Sequence, residues 1–133
     1  MGVVDPTVLD IITDEPSFAW FGFVMEEAVD GRAVVSAEVG DRHVNANGMT
    51  HGGFIFALAD QAFAMAATTV LQFCATVDAQ IHYLAPSRVG HRLRATAQTS
   101  WHDRRRAVVD VLVTADGEVV AVYRGMARAV RRE

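Results

Sequence analysis

The chain predicts an α+β domain in which one long helix is wrapped by a curved, six-stranded antiparallel sheet. Residues 54–71 are apolar all round, the pattern of a helix buried on every side. Six segments rich in β-branched and aromatic residues flank that run, two before it and four after. At 133 residues the chain has room for one core, so a single domain over 1–133 is expected.

Taken in order, Asp5-Pro6 reads as an N-cap followed by proline at the first helical position, which opens a short helix over about 6–12. "FAWFGFVMEEAV" (18–29) and "RAVVSAEVG" (32–40) are β-rich runs joined by the hairpin dipeptide Asp30-Gly31. "NANGMTHGG" (45–53) is a polar, glycine-bearing loop. Thr50 is the expected cap of the helix that follows, and Gly52-Gly53 lets a backbone or ligand approach its first turn. Beyond Cys74, "ATVDAQIHYLAP" and "HRLRATAQTSW" alternate as strands do, with Val77, Ala79, Ile81 and Tyr83 on one side of the first. The closing stretch, 105–130, is two strands about a second hairpin dipeptide, Asp116-Gly117. One sheet cannot cover a helix completely, so an obligate oligomer is expected.

Composition narrows the chemistry. The net charge of −4 argues against a general nucleic-acid binder. Charge is uneven, however: residues 1–40 hold eight acids and one base, Arg32, whereas ten arginines and five acids follow from Arg88 onward. Arginine forks suit phosphate oxygens, and they equally suit a solvated sheet surface. The run 54–73 is long enough to span a bilayer, yet Asp60, Gln61 and Gln72 interrupt it and no basic anchors flank it, so no membrane span is expected. Met1 is followed by Gly2 and Asp5-Pro6, not by a basic stretch with an apolar core, so no secretory signal is expected. The lone Cys74 excludes an internal disulfide and fits a reducing compartment. His43, His51, His82, His91 and His102 are scattered singly, which points away from a metal site. Neither a G-x-S-x-G elbow nor a P-loop occurs.

Asp60 is the only charged side chain between His51 and Asp78. A carboxylate on a buried helix is costly unless something uses it: chemistry, or the capping of another loop's N–H groups. The first N–H groups of that helix lack intrahelical acceptors and lie at the positive end of its dipole. With Gly52 and Gly53 there, they form a natural oxyanion hole. Eight residues separate Gly52 from Asp60, or roughly 12 Å at about 1.5 Å per residue. A group acting on a carbonyl bound at Gly52 must come within about 3–4 Å of it, directly or through one water. If both groups are catalytic, Asp60 of one subunit serves Gly52 of another.

"NANGMTHGG…LAD", an N-x-x-G-x-x-H-G-G-x(6)-D pattern, resembles the signature of hotdog-fold acyl-CoA thioesterases, and most closely the PaaI-type branch associated with phenylacetate degradation. "DGRAVVSAEV", "IHYLAP", "GHRLRATAQ" and "DGEVVAVYRGMARAV" extend the likeness over most of the chain. The resemblance implies a helix wrapped by an antiparallel sheet, active sites at homodimer interfaces, commonly a dimer of dimers, and a cytoplasmic enzyme. It implies that Gly52 donates the N–H that polarises the thioester carbonyl. Asp60 of the opposing subunit is then the nucleophile or the base that activates water. Asn45 positions the water or the leaving group, with Asn47 less suited. His51 orients the loop and bonds near the thioester, or simply braces it. Gly53 lines the site, and Phe54, Phe56 and Phe63 are candidates for an apolar or aromatic acyl pocket. Arg88, Arg92, Arg94, Arg104 to Arg106 and Arg124 are candidates for the CoA phosphates. The substrate expected is an aryl-acetyl-CoA or a short to medium acyl-CoA, with CoA part of the substrate and no separate cofactor. A non-catalytic acyl-CoA-binding protein and an enoyl-CoA hydratase or dehydratase of the same fold are the alternatives.

Overall fold

A computed structural model describes residues 2–131. Two short helices, α1 (Pro6–Thr13) and α2 (Pro16–Phe21), lead into the hairpin β1 (Val24–Val29) and β2 (Arg32–Glu38). The long helix α3 (Gly52–Leu71) follows, then β3 (Cys74–Tyr83), β4 (Arg92–His102), β5 (Arg106–Ala115) and β6 (Glu118–Ala129). The six strands form one antiparallel sheet in the order β1-β2-β4-β5-β6-β3, and α3 touches every one of them. This is the wrapped-helix arrangement expected from the alternation of the strands and the all-round apolarity of 54–71.

Both hairpin dipeptides behave as the turn chemistry requires. Asp30 and Gly31 (φ 50° and 82°) and Asp116 and Gly117 (φ 47° and 90°) all lie in the left-handed region, as two-residue hairpins with the native twist demand. The Gly31 N–H donates to Thr69 Oγ1 of α3 at 2.8 Å, which pins the first hairpin to the helix.

One stretch departs from its expected form. Residues 18–21, expected as strand, are helical, and β1 begins only at Val24. Pro16 supplies the first helical position of α2 and Gly22, at φ 76°, closes it. The turn aims Phe18 and Phe21 at Phe23, with ring centroids at 6.1 and 4.9 Å. Aromatic residues have high strand propensity, but here the proline–glycine frame and the packing of the rings prevail.

The sheet has two edges, treated differently. Along β1 the N-terminal segment adds a short parallel bridge, Val4 to Ala28, with the Ala28 N–H donating to the Val3 carbonyl at 2.9 Å. At the other edge β3 is ten residues long, carries exposed Val77 and Tyr83, and has no strand on its outer side among the described residues. Mean hydropathy of 1.6 would let α3 cross a bilayer by length and composition, but its buried residues, including Leu58, Phe63 and Ala66, fill the core inside the sheet.

Candidate active site

The loop before α3 ends on a cap that differs from expectation. His51, not Thr50, is the N-cap: its Nδ1 accepts from the Gly53 N–H at 2.8 Å. Thr50 is buried and tied to Ser87, whose hydroxyl donates to Thr50 Oγ1 at 2.7 Å. Gly53 is therefore shielded, contrary to the expectation that both glycine N–H groups stand open. The Gly52 N–H finds no acceptor among the described residues. It is the free donor at the positive end of a twenty-residue helix.

Tyr83, at the end of β3, fixes that first turn from the side. Its hydroxyl donates to the Gly52 carbonyl at 2.8 Å, and a Cβ at position 52 would lie 3.1 Å from its ring. The second glycine of the motif is thus read by the cap and the first by the phenol. Asn45 spends its side-chain carbonyl inside the loop, accepting from the Asn47 and Met49 N–H groups at 2.9 and 3.2 Å. Its amide donor is uncommitted among the described residues.

The motif residues divide over two flanks of the helix start. On one, Asn45 and Gly52 line a groove with Tyr83, Leu84 and Ser87. On the other, His51, Gly53 and Phe54 line a cleft of about 290 Å³ with Trp20, Phe21 and His43. The His43 ring stacks on Phe54 at 3.8 Å and 10°, and Trp20 stands 80% exposed at the rim. Nothing in the spacing of the motif pointed to Trp20, because α2 is brought there only by the folding of the chain.

Two turns further along α3, Asp60 is half-buried. Tyr123 of β6 donates its hydroxyl proton to Asp60 Oδ1 at 3.0 Å. Burial pushes the Asp60 carboxyl above its ordinary range, and the Tyr123 hydrogen bond opposes that shift. The Tyr123 phenol is driven far above its usual range by burial and then by Asp60, with Asp78 adding to the effect. Gln61, next to Asp60, has its amide nitrogen buried without an acceptor among the described residues. Asp60 and Gly52 belong to one straight helix, so within one chain they remain separated by roughly two turns.

Other expected site residues fall elsewhere. Phe63, a candidate for the acyl pocket, is 0% exposed and packs on Tyr123 and against Gly125; it is core in the single chain. Phe56 meets Tyr123 edge to face at 5.5 Å. Among the arginines, Arg124 is gripped by Asp110 through two bonds (2.6 and 3.0 Å), Arg92 donates to Ser36, and Arg94 faces Glu26 at 3.9 Å. Arg88 is exposed, and its guanidinium pairs with no acid among the described residues. Arg105 and Arg106, both expected as phosphate candidates, join Arg128 and Arg131, which were not, around a groove floored by Val77 and Met126. Only Arg106 of these four has an acidic partner, Asp103, among the described residues.

Comparison with known proteins agrees with this fold. The profile of the thioesterase superfamily matches residues 47–122. The acyl-coenzyme A thioesterase PaaI of Escherichia coli (strain K12) is 32% identical over 102 residues, covering 76% of this chain and 73% of that protein. A structure of E. coli PaaI superposes with a TM-score of 0.89 at 25% identity, covering 97% of each chain. A variant of the phenylacetic acid degradation protein PaaI from Thermus thermophilus gives a TM-score of 0.84 at 33% identity, covering 87% of this chain and 100% of that one. A Streptococcus mutans protein bound to acetyl CoA gives 0.77 at 30%, covering 84% and 91%. With a wrapped central helix, an unengaged N–H at its tip and these relatives, the chain belongs to the thioesterase superfamily and has the hotdog fold.

Proposed function

We propose that this protein hydrolyses acyl-CoA thioesters, with Asp60 of one subunit acting on a carbonyl held at Gly52 of another. The observation that carries the reading is the pairing of one unengaged N–H, at Gly52, with one partly desolvated carboxylate, Asp60, on the same helix but out of mutual reach. The thioester oxygen accepts from the Gly52 N–H and gains charge there as the carbonyl carbon is attacked. Asp60 either takes a proton from the attacking water or attacks the carbon itself. As base, Asp60 passes the proton taken from water to the sulfur as the C–S bond breaks, giving free acid and CoA thiol. As nucleophile, it displaces CoA thiolate to form a mixed anhydride, which water then hydrolyses, restoring the carboxylate and supplying the thiol's proton. Either role needs the ionised carboxylate.

Two features support a shared site. The open edge of β3 invites antiparallel pairing with a second copy. A register that sets the end of one β3, with Tyr83 and Gly52, against the middle of the other would direct Gly52 toward the Tyr123 and Asp60 behind it. The orphaned Gln61 amide beside Asp60 is a donor awaiting an acceptor from outside the chain. The aromatic cleft of Trp20, Phe21 and Phe54 beside Gly53 favours an aryl-acetyl group over a plain alkyl chain. The groove of Arg105, Arg128 and Arg131 suits the phosphates of the nucleotide end. The S. mutans relative, bound to acetyl CoA, supports a CoA thioester, and such a substrate fits a cytoplasmic enzyme.

A screen over aryl- and alkyl-CoA thioesters with detection of free thiol tests the reaction. Turnover by the unmodified protein is expected, fastest with aryl-acetyl groups; tight binding without turnover would overturn the reading. The shared site is tested by subunit mixing. Asp60→Asn and Gly52→Pro (which removes the N–H at a position where proline keeps the helix) should each be inactive. Random hybrids of the two should recover about a quarter of normal activity, because half the dimers carry one intact site out of two. Mixed samples as dead as the parents would exclude sharing.

A further inference from the structure

The buried face of β6 holds a hydroxyl that packing alone does not require. Tyr123 sits between Phe56 and Phe63, with both ring centroids at 5.5 Å, and a phenylalanine would fill that space equally well. Gly125, two residues on and on the same face, makes the arrangement possible: a Cβ there would lie 2.7 Å from the Phe63 ring, which would have to leave Tyr123. The phenol held by this packing points its oxygen at Asp60 Oδ1. Asp60 Oδ2 has no partner among the described residues.

We propose that Tyr123 is a positioning residue for Asp60: its hydroxyl proton occupies Oδ1, orients the carboxylate, and leaves Oδ2 as the oxygen that meets the substrate carbon or its attacking water. The proposal rests on the reading of Asp60 as the acting group. Tyr123 itself is neither base nor nucleophile, because burial and two neighbouring carboxylates, Asp60 on α3 and Asp78 on β3, keep its phenol protonated throughout the working pH range. Its hydrogen bond is also the one interaction that counters the burial of Asp60, whose carboxylate has no cationic partner among the described residues. Removing a donor to the charged form favours the neutral acid, so the pH at which Asp60 ionises must rise.

The test compares the unmodified protein with Tyr123→Phe and with 3-fluorotyrosine at position 123, reading kcat and KM against pH. The ionisation of Asp60 is followed separately by carbon NMR of its carboxyl group. In Tyr123→Phe the acid limb of kcat and the NMR midpoint should both move to higher pH. Well down the acid limb, below both ionisation midpoints, kcat at a given pH should fall about 10- to 100-fold, the worth of one hydrogen bond to a charge, and the loss should shrink toward alkaline pH, with KM changed much less. The more acidic fluorotyrosine should move both readings the other way. Unmoved midpoints in a folded Tyr123→Phe protein would overturn the proposal, as would a loss of kcat equal at every pH. If the unmodified protein turned over no thioester while the NMR midpoint still rose in Tyr123→Phe, the thioesterase reading would fall and the hold of Tyr123 on Asp60 would stand.

Discussion

Asp60 is burdened by its surroundings. Its folded carboxyl ionises above the ordinary range, so the native chain binds more protons than the unfolded one as pH falls, and Asp60 costs stability at neutral pH that is regained on acidification. Asp60→Asn removes that cost and keeps an acceptor for Tyr123. It should therefore melt higher than the unmodified protein at pH 8 and converge with it at low pH, while turnover drops by about 10²–10⁴-fold, the usual worth of a positioned acid or base. Asp60→Ala should be as inactive but less stable than Asp60→Asn, by about 1–3 kcal/mol, because the Tyr123 hydroxyl loses its acceptor inside the protein. Thermal melts of the three proteins at two pH values check the order; an alanine variant as stable as the asparagine one would deny Tyr123 its role as a buried donor. Asp60 could be read from the sequence as a lone carboxylate in an apolar run. Tyr123, sixty-three positions away, could not, because only strand order and register bring β6 against that face of α3.

At the scale of the element, α3 is held at its start by His51 and along its length by the gap at Gly125. His51→Ala removes the side-chain cap from the Gly53 N–H and should destabilise the fold by about 0.5–2 kcal/mol. It also uncovers a second donor beside Gly52, so its effect on kcat should exceed its effect on stability; hydrolysis and melting measured on the same preparation separate the two. Gly125→Ala should cost about 1–3 kcal/mol through overpacking against Phe63. Calorimetry checks that figure, and a neutral substitution would mean that Phe63 can shift without disturbing Tyr123. The aromatic segment 18–21 shows how an element is misjudged from local texture. Its propensity speaks for a strand, while Pro16 and Gly22 bracket a single helical turn whose rings close over the core. That turn delivers Trp20 to the cleft beside Gly53. Replacement of Trp20 by Ala should raise KM for aryl-acetyl thioesters more than for acetyl-CoA, by about 2- to 10-fold in the ratio, since an aromatic contact contributes about 0.5–1.5 kcal/mol beyond its area.

For the whole molecule the decisive feature is the asymmetry of the sheet edges. β1 is covered by residues 2–5, whereas β3 presents a full-length open ladder. Along β3 the Leu84 N–H donates to the Val120 carbonyl, and by alternation the Ala79 N–H, opposite Gly125, faces the open edge. Ala79→Pro removes that outward donor without breaking the ladder to β6, so it should convert an assembled protein to monomer and abolish turnover together. Sedimentation and hydrolysis on one sample check this; an active monomer would contradict a site built from two chains.

The sequence by itself determined the class of the fold, its strands, both hairpin turns and the sites of the free N–H and the buried acid. Each of these depends on local signals: two-residue periodicity, left-handed dipeptides, a helix with no polar face, and a motif contained in one short stretch. Tertiary structure alone decided that His51 rather than Thr50 caps α3, that Tyr123 holds Asp60, that Arg124 belongs to Asp110, and that α2 walls the cleft. Those partnerships join residues far apart in the chain or choose between neighbours of equal competence. Such choices are settled by register and packing, which no short stretch of sequence contains.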